Sequence, residues 1–205
     1  VFLGYYLRKR YKKTSYNIFA GGLFMSLVYV FFADGFEEVE ALTTVDLLRR
    51  AGEDVRMVSI MGRKTVTGSH NISVDCDMVF EEIGKTADLL VLPGGLPGTD
   101  HLREHRELAD LLTEQYQDGR YVAAICAAPS VLAGLGFLKN RKATSYPGCV
   151  DASQCGSYVE EPVAVDGNVI TSRGVGTAIP FALALIELLE SKEEAEKIAA
   201  SIVYR

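Results

Sequence analysis

Two stretches of this chain are apolar at consecutive rather than alternate positions: Leu27-Val28-Tyr29-Val30-Phe31-Phe32-Ala33, and Leu89-Leu90-Val91-Leu92 behind Asp88. A strand with one wet face alternates; a strand with no polar positions must be covered on both sides. Strands of that kind belong to parallel sheets, where helical crossovers pack on both faces. The rest of the sequence supplies the crossovers. A helix is predicted from Glu37 to Ala51, with Gly52 behind it as a C-terminal stop. Val55–Ile60 reads as a strand, 65–75 as a hairpin with Thr67-Gly68-Ser69-His70-Asn71 in its middle, and 80–86 as a short helix or turn. Beyond the strand Asp88–Leu92, a helix from Asp100 to Gln117 places Leu102, Leu108, Leu111 and Leu112 on one face. Tyr121–Ile125 follows as a strand, with a short helix over Ala127–Leu135. Lys142–Ser145 reads as a strand, Val163–Asp166 and Val169–Ser172 as a hairpin around Gly167-Asn168, and 176–190 and 192–202 as closing helices. The expected fold is α/β: one doubly wound, mostly parallel sheet flanked by helices on both faces, spanning 25–205 as a single domain.

Residues 1–24 do not fit that pattern. They carry five basic residues (Arg8, Lys9, Arg10, Lys12, Lys13) and no acid, whereas 25–205 hold sixteen basic against 27 acidic residues, a net charge of −11. A body that acidic repels phosphate backbones, which excludes nucleic acid as a standing partner. The uncharged run from Ile18 to Ala33 is short for a membrane span, and its second half is needed as the first strand. The extension is therefore expected to be an over-extended reading frame whose start is Met25, a disordered or membrane-facing leader being the alternative. The codons of Ala20-Gly21-Gly22 can spell a ribosome-binding sequence ahead of Met25.

Cys76, Cys126, Cys149 and Cys155 form no CxxC pair, and the three histidines are His70, His101 and His105. Neither a disulfide scaffold nor a structural zinc site is expected, and no metal or other cofactor is implied. Among the cysteines, Cys126 has a distinctive place. It stands alone between the strand Tyr121–Ile125 and a helix start, with Ala124, Ala127 and Ala128 leaving room for a sharp turn. That is the geometry of a nucleophile elbow, at a strand's carboxyl end, where open α/β sheets bind ligands. A helix N-terminus ahead of the sulfur favours its thiolate. Gly94-Gly95, behind Pro93, lets a second backbone approach and aims amides at the same point, forming an oxyanion site with the Ala127 amide. The other cysteines lack this context, although Cys149 and Cys155 lie in a Gly/Ser-rich loop and are candidates for oxidation. The histidines read as surface residues, and Glu37 and Glu38 as charges that complement a helix dipole.

Four segments, Ala33-Asp34-Gly35-Phe36-Glu37-Glu38-Val39-Glu40, Leu92-Pro93-Gly94-Gly95, Ala123-Ala124-Ile125-Cys126-Ala127-Ala128-Pro129 and Thr171-Ser172-Arg173-Gly174-Val175-Gly176-Thr177, resemble the ThiJ/PfpI superfamily in order and spacing. The branch is that of the parkinsonism-associated deglycase and its bacterial relatives, and the similarity runs from about Leu27 to the C-terminus. The resemblance implies a flavodoxin-like fold of the class I glutamine-amidotransferase type and a homodimer. It implies that Cys126 is the nucleophilic, easily oxidised cysteine and Glu40 the carboxyl group bonded to its sulfur. Gly95 and Ala127 match the backbone amides around the site, Gly94 belongs to its wall, and Arg173 matches a residue near the dimer interface and pocket. Where some members carry a histidine, this chain has Ala127 and Tyr146, and no histidine follows His105, so a Cys-His-Glu triad is excluded by sequence order. Peptidase chemistry is thereby disfavoured. Tyr146 supplies either a phenol or simply a ring.

A carboxylate beside a thiolate is repulsive, so Glu40 and Cys126 are expected to share one proton. Two readings follow from the resemblance. In one, Cys126 attacks methylglyoxal-like dicarbonyls or their early protein adducts and Glu40 moves protons, a cofactor-independent glyoxalase or deglycase. In the other, Cys126 is oxidised to a sulfinic acid in a redox-sensing chaperone without turnover. A reactive thiolate without disulfides suits the cytoplasm.

Overall fold

The computed structural model describes residues 25–84 and 86–204; the extension 1–24 and its expected start lie outside them. The first half runs β1 (Leu27–Phe32), α1 (Glu38–Arg50), β2 (Asp54–Ser59), β3 (Thr65–Thr67), β4 (Ser73–Asp75), β5 (Met78–Val79) and β6 (Leu89–Leu92). Then come α2 (Gly98–Glu104), α3 (Arg106–Gln117), β7 (Tyr121–Ile125) and α4 (Pro129–Gly134). The chain closes with β8 (Lys142–Ala143), β9 (Ser157–Tyr158), β10 (Val163–Asp166), β11 (Val169–Ser172), α5 (Ala178–Leu189) and α6 (Lys192–Ser201). Seven strands form one sheet in the order β10-β11-β7-β6-β1-β2-β5. Every neighbouring pair is parallel except the β10–β11 hairpin.

The consecutive apolar runs are explained by two cores. Val28, Val30 and Phe32 of β1 face a cluster with Val45 and Leu48 of α1, Phe181 and Leu185 of α5 and Ile198 of α6. Tyr29 and Phe31 face the opposite cluster, with Leu102 of α2, Leu108 and Leu112 of α3 and Val131 and Leu132 of α4. At roughly 25 cal/mol per Å² of apolar surface removed from water, this double burial is the main stabilising term of the sheet. The strand order reverses beside β1, with β2 on one side and β6 on the other, which opens a crevice beyond the strands' carboxyl ends.

Four expectations need correction. The helix over 100–117 is two helices. His105 is extended (φ −76°, ψ 103°), and its Nδ1 accepts the Leu108 N–H at 3.1 Å, so it caps α3 rather than continuing α2. Its ring packs on Phe80 at 4.6 Å, so His105 is half-buried and not a surface residue. The strand over 142–145 is only two residues long and pairs with β9 in a separate ribbon outside the main sheet. The helix over 127–135 begins at Pro129 because Ala127 and Ala128 are spent on the turn that follows Cys126.

Candidate active site around Cys126

Cys126 follows directly on β7 with φ 66°, in the left-handed region that residues with a Cβ rarely enter. Neighbouring backbone holds it there. Its N–H donates to the Ser172 carbonyl at 3.0 Å, and its own carbonyl accepts from the Tyr146 N–H at 2.8 Å. A sparsely populated conformation persists only when its surroundings over-determine it, and here β11 and the 144–148 loop do so. Ala124 and Ala128 are fully buried beside it. The strand–turn–helix elbow is present.

The facing wall comes from α1. Glu37 caps this helix, its carboxylate accepting the Glu40 N–H at 2.8 Å. One turn in, Glu40 is fully buried beneath the sulfur. The Gly94 amide donates to Glu40 Oε2 at 3.0 Å. Oε1 meets no other donor among the described residues, and the carboxyl interacts with the Cys126 side chain. Gly94 makes this approach possible: a Cβ there would lie 2.5 Å from Cys126 Cβ and 2.7 Å from Glu40 Oε2. Gly95, at φ 93°, turns the chain so that a Cβ would run into the Glu37 amide, while its own N–H reaches Cys126.

Burial pushes the Glu40 carboxyl up to about 7, helped by the charge of Glu37 and opposed by the bonds from Cys126 and the Gly94 amide. Burial likewise pushes the Cys126 thiol up to about 12, reinforced by Glu40 and opposed by the Ala127 and Gly95 amides. The amides at the turn favour the thiolate, as expected, but they do not set the net direction. The six-residue α4 is short, and loss of water together with the adjacent carboxyl outweighs two amides. The two groups titrate as one unit. Between about 7 and about 12 the pair carries one proton and one negative charge, divided between Glu40 and Cys126.

The pair opens into a hollow of about 470 Å³, also lined by Glu37, His70, Tyr146 and Arg173. Tyr146 is 54% exposed, its ring at the mouth. Arg173 follows β11, beside the strand that carries Cys126. Glu38 has a use that sequence reasoning missed. Its buried carboxylate accepts the His70 N–H at 2.7 Å, bonds His70 Nδ1 at 2.8 Å and accepts the Ser69 hydroxyl at 3.3 Å. It clamps the β3–β4 hairpin onto the site and brings His70, exposed as expected, to the hollow. The signal available was the short hairpin turn Gly68-Ser69-His70-Asn71, whose amides need an acceptor. Glu37, Glu38 and His70 also bring three potential metal-ligand atoms within 4.8 Å of one another. Those atoms are already engaged in the cap and the clamp. Among the described residues all four cysteines are free, Cys76 and Cys155 being buried and Cys149 partly so.

A doubly wound α/β domain with a lone cysteine at a positive-φ elbow, facing a buried glutamate, defines a class of cysteine-centred flavodoxin-like proteins. The chain belongs to the DJ-1/PfpI family, whose description matches residues 26–188. It is 39% identical over 186 residues to DJ-1 homolog A of Arabidopsis thaliana, covering 89% of this chain and 47% of that protein. The chain thus spans about half the length of that relative, and 40% of Arabidopsis DJ-1 homolog B. A Pyrococcus abyssi protein named a deglycase is 33% identical over 166 residues, covering 80% of this chain and 99% of that one. Among solved structures, oxidized Toxoplasma gondii DJ-1 superposes with a TM-score of 0.83 at 37% identity, covering 87% of this chain and 98% of that one. Drosophila melanogaster DJ-1beta gives 0.84 at 37% identity, covering 89% and 100%.

Proposed function

We propose that this protein is a cysteine-dependent, cofactor-independent enzyme of the glyoxalase/deglycase type, acting on methylglyoxal-like dicarbonyls or their early adducts on proteins and protecting against carbonyl and oxidative stress. The observation that carries the reading is the buried Glu40 carboxyl beside the elbow sulfur, one proton between them. With methylglyoxal, the sulfur attacks the aldehyde carbon, a C–S bond forms, and the shared proton goes to the aldehyde oxygen. Glu40, now a carboxylate, removes the hydrogen from that carbon; electrons move onto the ketone oxygen as an enediolate. Glu40 returns the proton to the former ketone carbon while the hydroxyl proton shifts to its oxygen, leaving a thioester of lactate on Cys126. Water breaks the C–S bond, releases lactate and restores the proton to the pair. The Gly95 and Ala127 amides are the donors for the oxyanion. Tyr146 supplies the aromatic edge of the pocket.

Val39, Ile72 and Val175, each about half exposed, are apolar side chains on the segments that build the hollow. They support a homodimer with the site near its interface, which light scattering on the eluted protein tests. Among the described residues no helix is long and apolar enough to cross a membrane, and we place the protein in the cytoplasm because of its free thiols. The functional test is lactate formation from methylglyoxal in metal-free, glutathione-free buffer. One lactate per methylglyoxal, lost in Cys126→Ala, supports the proposal, and absence of turnover in the unaltered chain ends it.

The similar Toxoplasma gondii structure is of an oxidized protein, which favours one second reading: a redox-sensing chaperone in which peroxide adds two oxygens to Cys126, forming a sulfinate without turnover. Selective peroxide oxidation of Cys126, seen as a 32-Da gain (about two oxygen atoms) in a protein without lactate formation, would establish it.

A further inference from the structure

Arg173 Nη1 is buried and meets no acceptor among the described residues. Arg49, Arg56, Arg103 and Arg141, by contrast, each sit against a carboxylate. A guanidinium holds five donors in a fixed fork, and a buried donor without an acceptor is a standing cost that folding does not tolerate without a reason. The reason lies in where Arg173 stands. β11 pairs with β7, the Ser172 carbonyl accepts the Cys126 amide, and Arg173 is the next residue, lining the same hollow as Cys126 and Glu40. A Cβ on the following Gly174 would lie 3.9 Å from Cys126 Sγ, which fixes how near this backbone runs to the sulfur.

We propose that Arg173 is the anion anchor of this hollow, so that among the carbonyl compounds the site takes, those that also carry a carboxylate are preferred over neutral ones such as methylglyoxal, the carboxylate held by the guanidinium while the carbonyl carbon faces Cys126. The proposal rests on the reading of the Cys126 hollow as the reacting site and names its specificity. The other charged or titratable groups facing the hollow are Glu37, Glu40, Cys126, His70 and Tyr146. Glu37 caps α1 and Glu40 lies in its first turn, whereas Arg173 is carried by the segment that follows β11. An acid-bearing substrate is therefore oriented rather than merely attracted: its charged end is repelled from α1 and drawn to Arg173. Planar guanidinium–carboxylate pairing adds direction that a point charge lacks. The volume of about 470 Å³ suits a small metabolite.

The test compares alkylation of Cys126 by iodoacetate and by iodoacetamide, followed by peptide mass spectrometry so that Cys149 is counted separately. In both reactions the sulfur displaces iodide; the reagents differ in carrying a carboxylate or a neutral amide. Arg173→Gln is expected to slow iodoacetate about tenfold and to leave iodoacetamide within about twofold, with Arg173→Lys in between. If both reagents slow together, or neither slows, the anchor is refuted. Should Arg173→Gln fail to fold by circular dichroism, the same comparison is made with Arg173→Lys. The outcomes separate the two proposals. An iodoacetate preference that depends on Arg173 in a protein without dicarbonyl turnover keeps the anchor and removes the enzymatic reading, whereas turnover without that preference does the reverse.

Discussion

At the scale of single residues, this site depends on how closely atoms approach. Gly94 stands where a Cβ would meet both Cys126 Cβ and Glu40 Oε2. Gly94→Ala is expected to cost about 1–3 kcal/mol by overpacking, read from urea unfolding, and to force the sulfur and carboxyl apart. The shared proton makes a second residue-scale prediction. The first proton leaves the pair near 7 and the second near 12, so the alkylation rate of Cys126 by iodoacetamide should rise through pH 7, hold a plateau, and rise again only toward 12. In Glu40→Gln the carboxyl is gone. The step near pH 7 should vanish, and a single rise should appear below 12, because Glu40 no longer opposes ionisation of the thiol. An unchanged step in that variant would show that another group titrates.

Among the elements, the most exposed to failure is the β3–β4 hairpin, which has three residues per strand and is tied to the site through Glu38. Glu38→Ala should raise amide hydrogen exchange over 65–75 while the central strands keep their protection. The His70 pKa is raised by its hydrogen bond and charge pairing with Glu38, and an NMR titration of the variant should find it lowered. The link favours folding in the window where Glu38, whose carboxyl is held below its usual value, is ionised and His70 is protonated; it is lost as pH rises through the folded-state value of His70 or falls through that of Glu38. The elements also show what the sequence could and could not disclose. β1 and β6 were legible because an uninterrupted apolar run leaves no face for water. Cys126 was legible because a strand passed into a helix start through one polar residue. The break at His105 was not, since the leucine spacing continues across it and only the capping bond marks the interruption. Nor was the Glu38 clamp, whose partners lie 31 and 32 residues away. The direction of the Cys126 shift depends on burial, a tertiary quantity that no local pattern contains.

For the whole molecule, the two cores fix the strands and the strands fix the crevice, so stability and site are separable. Glu53 shows this away from the hollow. Burial raises its carboxyl to about 7, with the nearby Glu190 adding to the rise and the Ser26 amide opposing it. The folded chain therefore keeps a proton that the unfolded chain releases from about 4.5 upward, and this contribution is lost as pH climbs toward 7. Replacing Glu53 by Gln should flatten the decline in stability between pH 5 and pH 7 by on the order of 1–3 kcal/mol, measured by denaturant titration at each pH. Turnover likewise belongs to the whole molecule, since α1, the β6 loop, β7 and β11 must all be in place around one sulfur. The most direct measurement is lactate formation from methylglyoxal by the full chain beside Cys126→Ala and Glu40→Gln, with folding of each checked by circular dichroism. The account predicts that both variants fold and that each loses about a hundredfold or more of kcat/KM. A Glu40→Gln protein that forms lactate at the rate of the unaltered chain would contradict it.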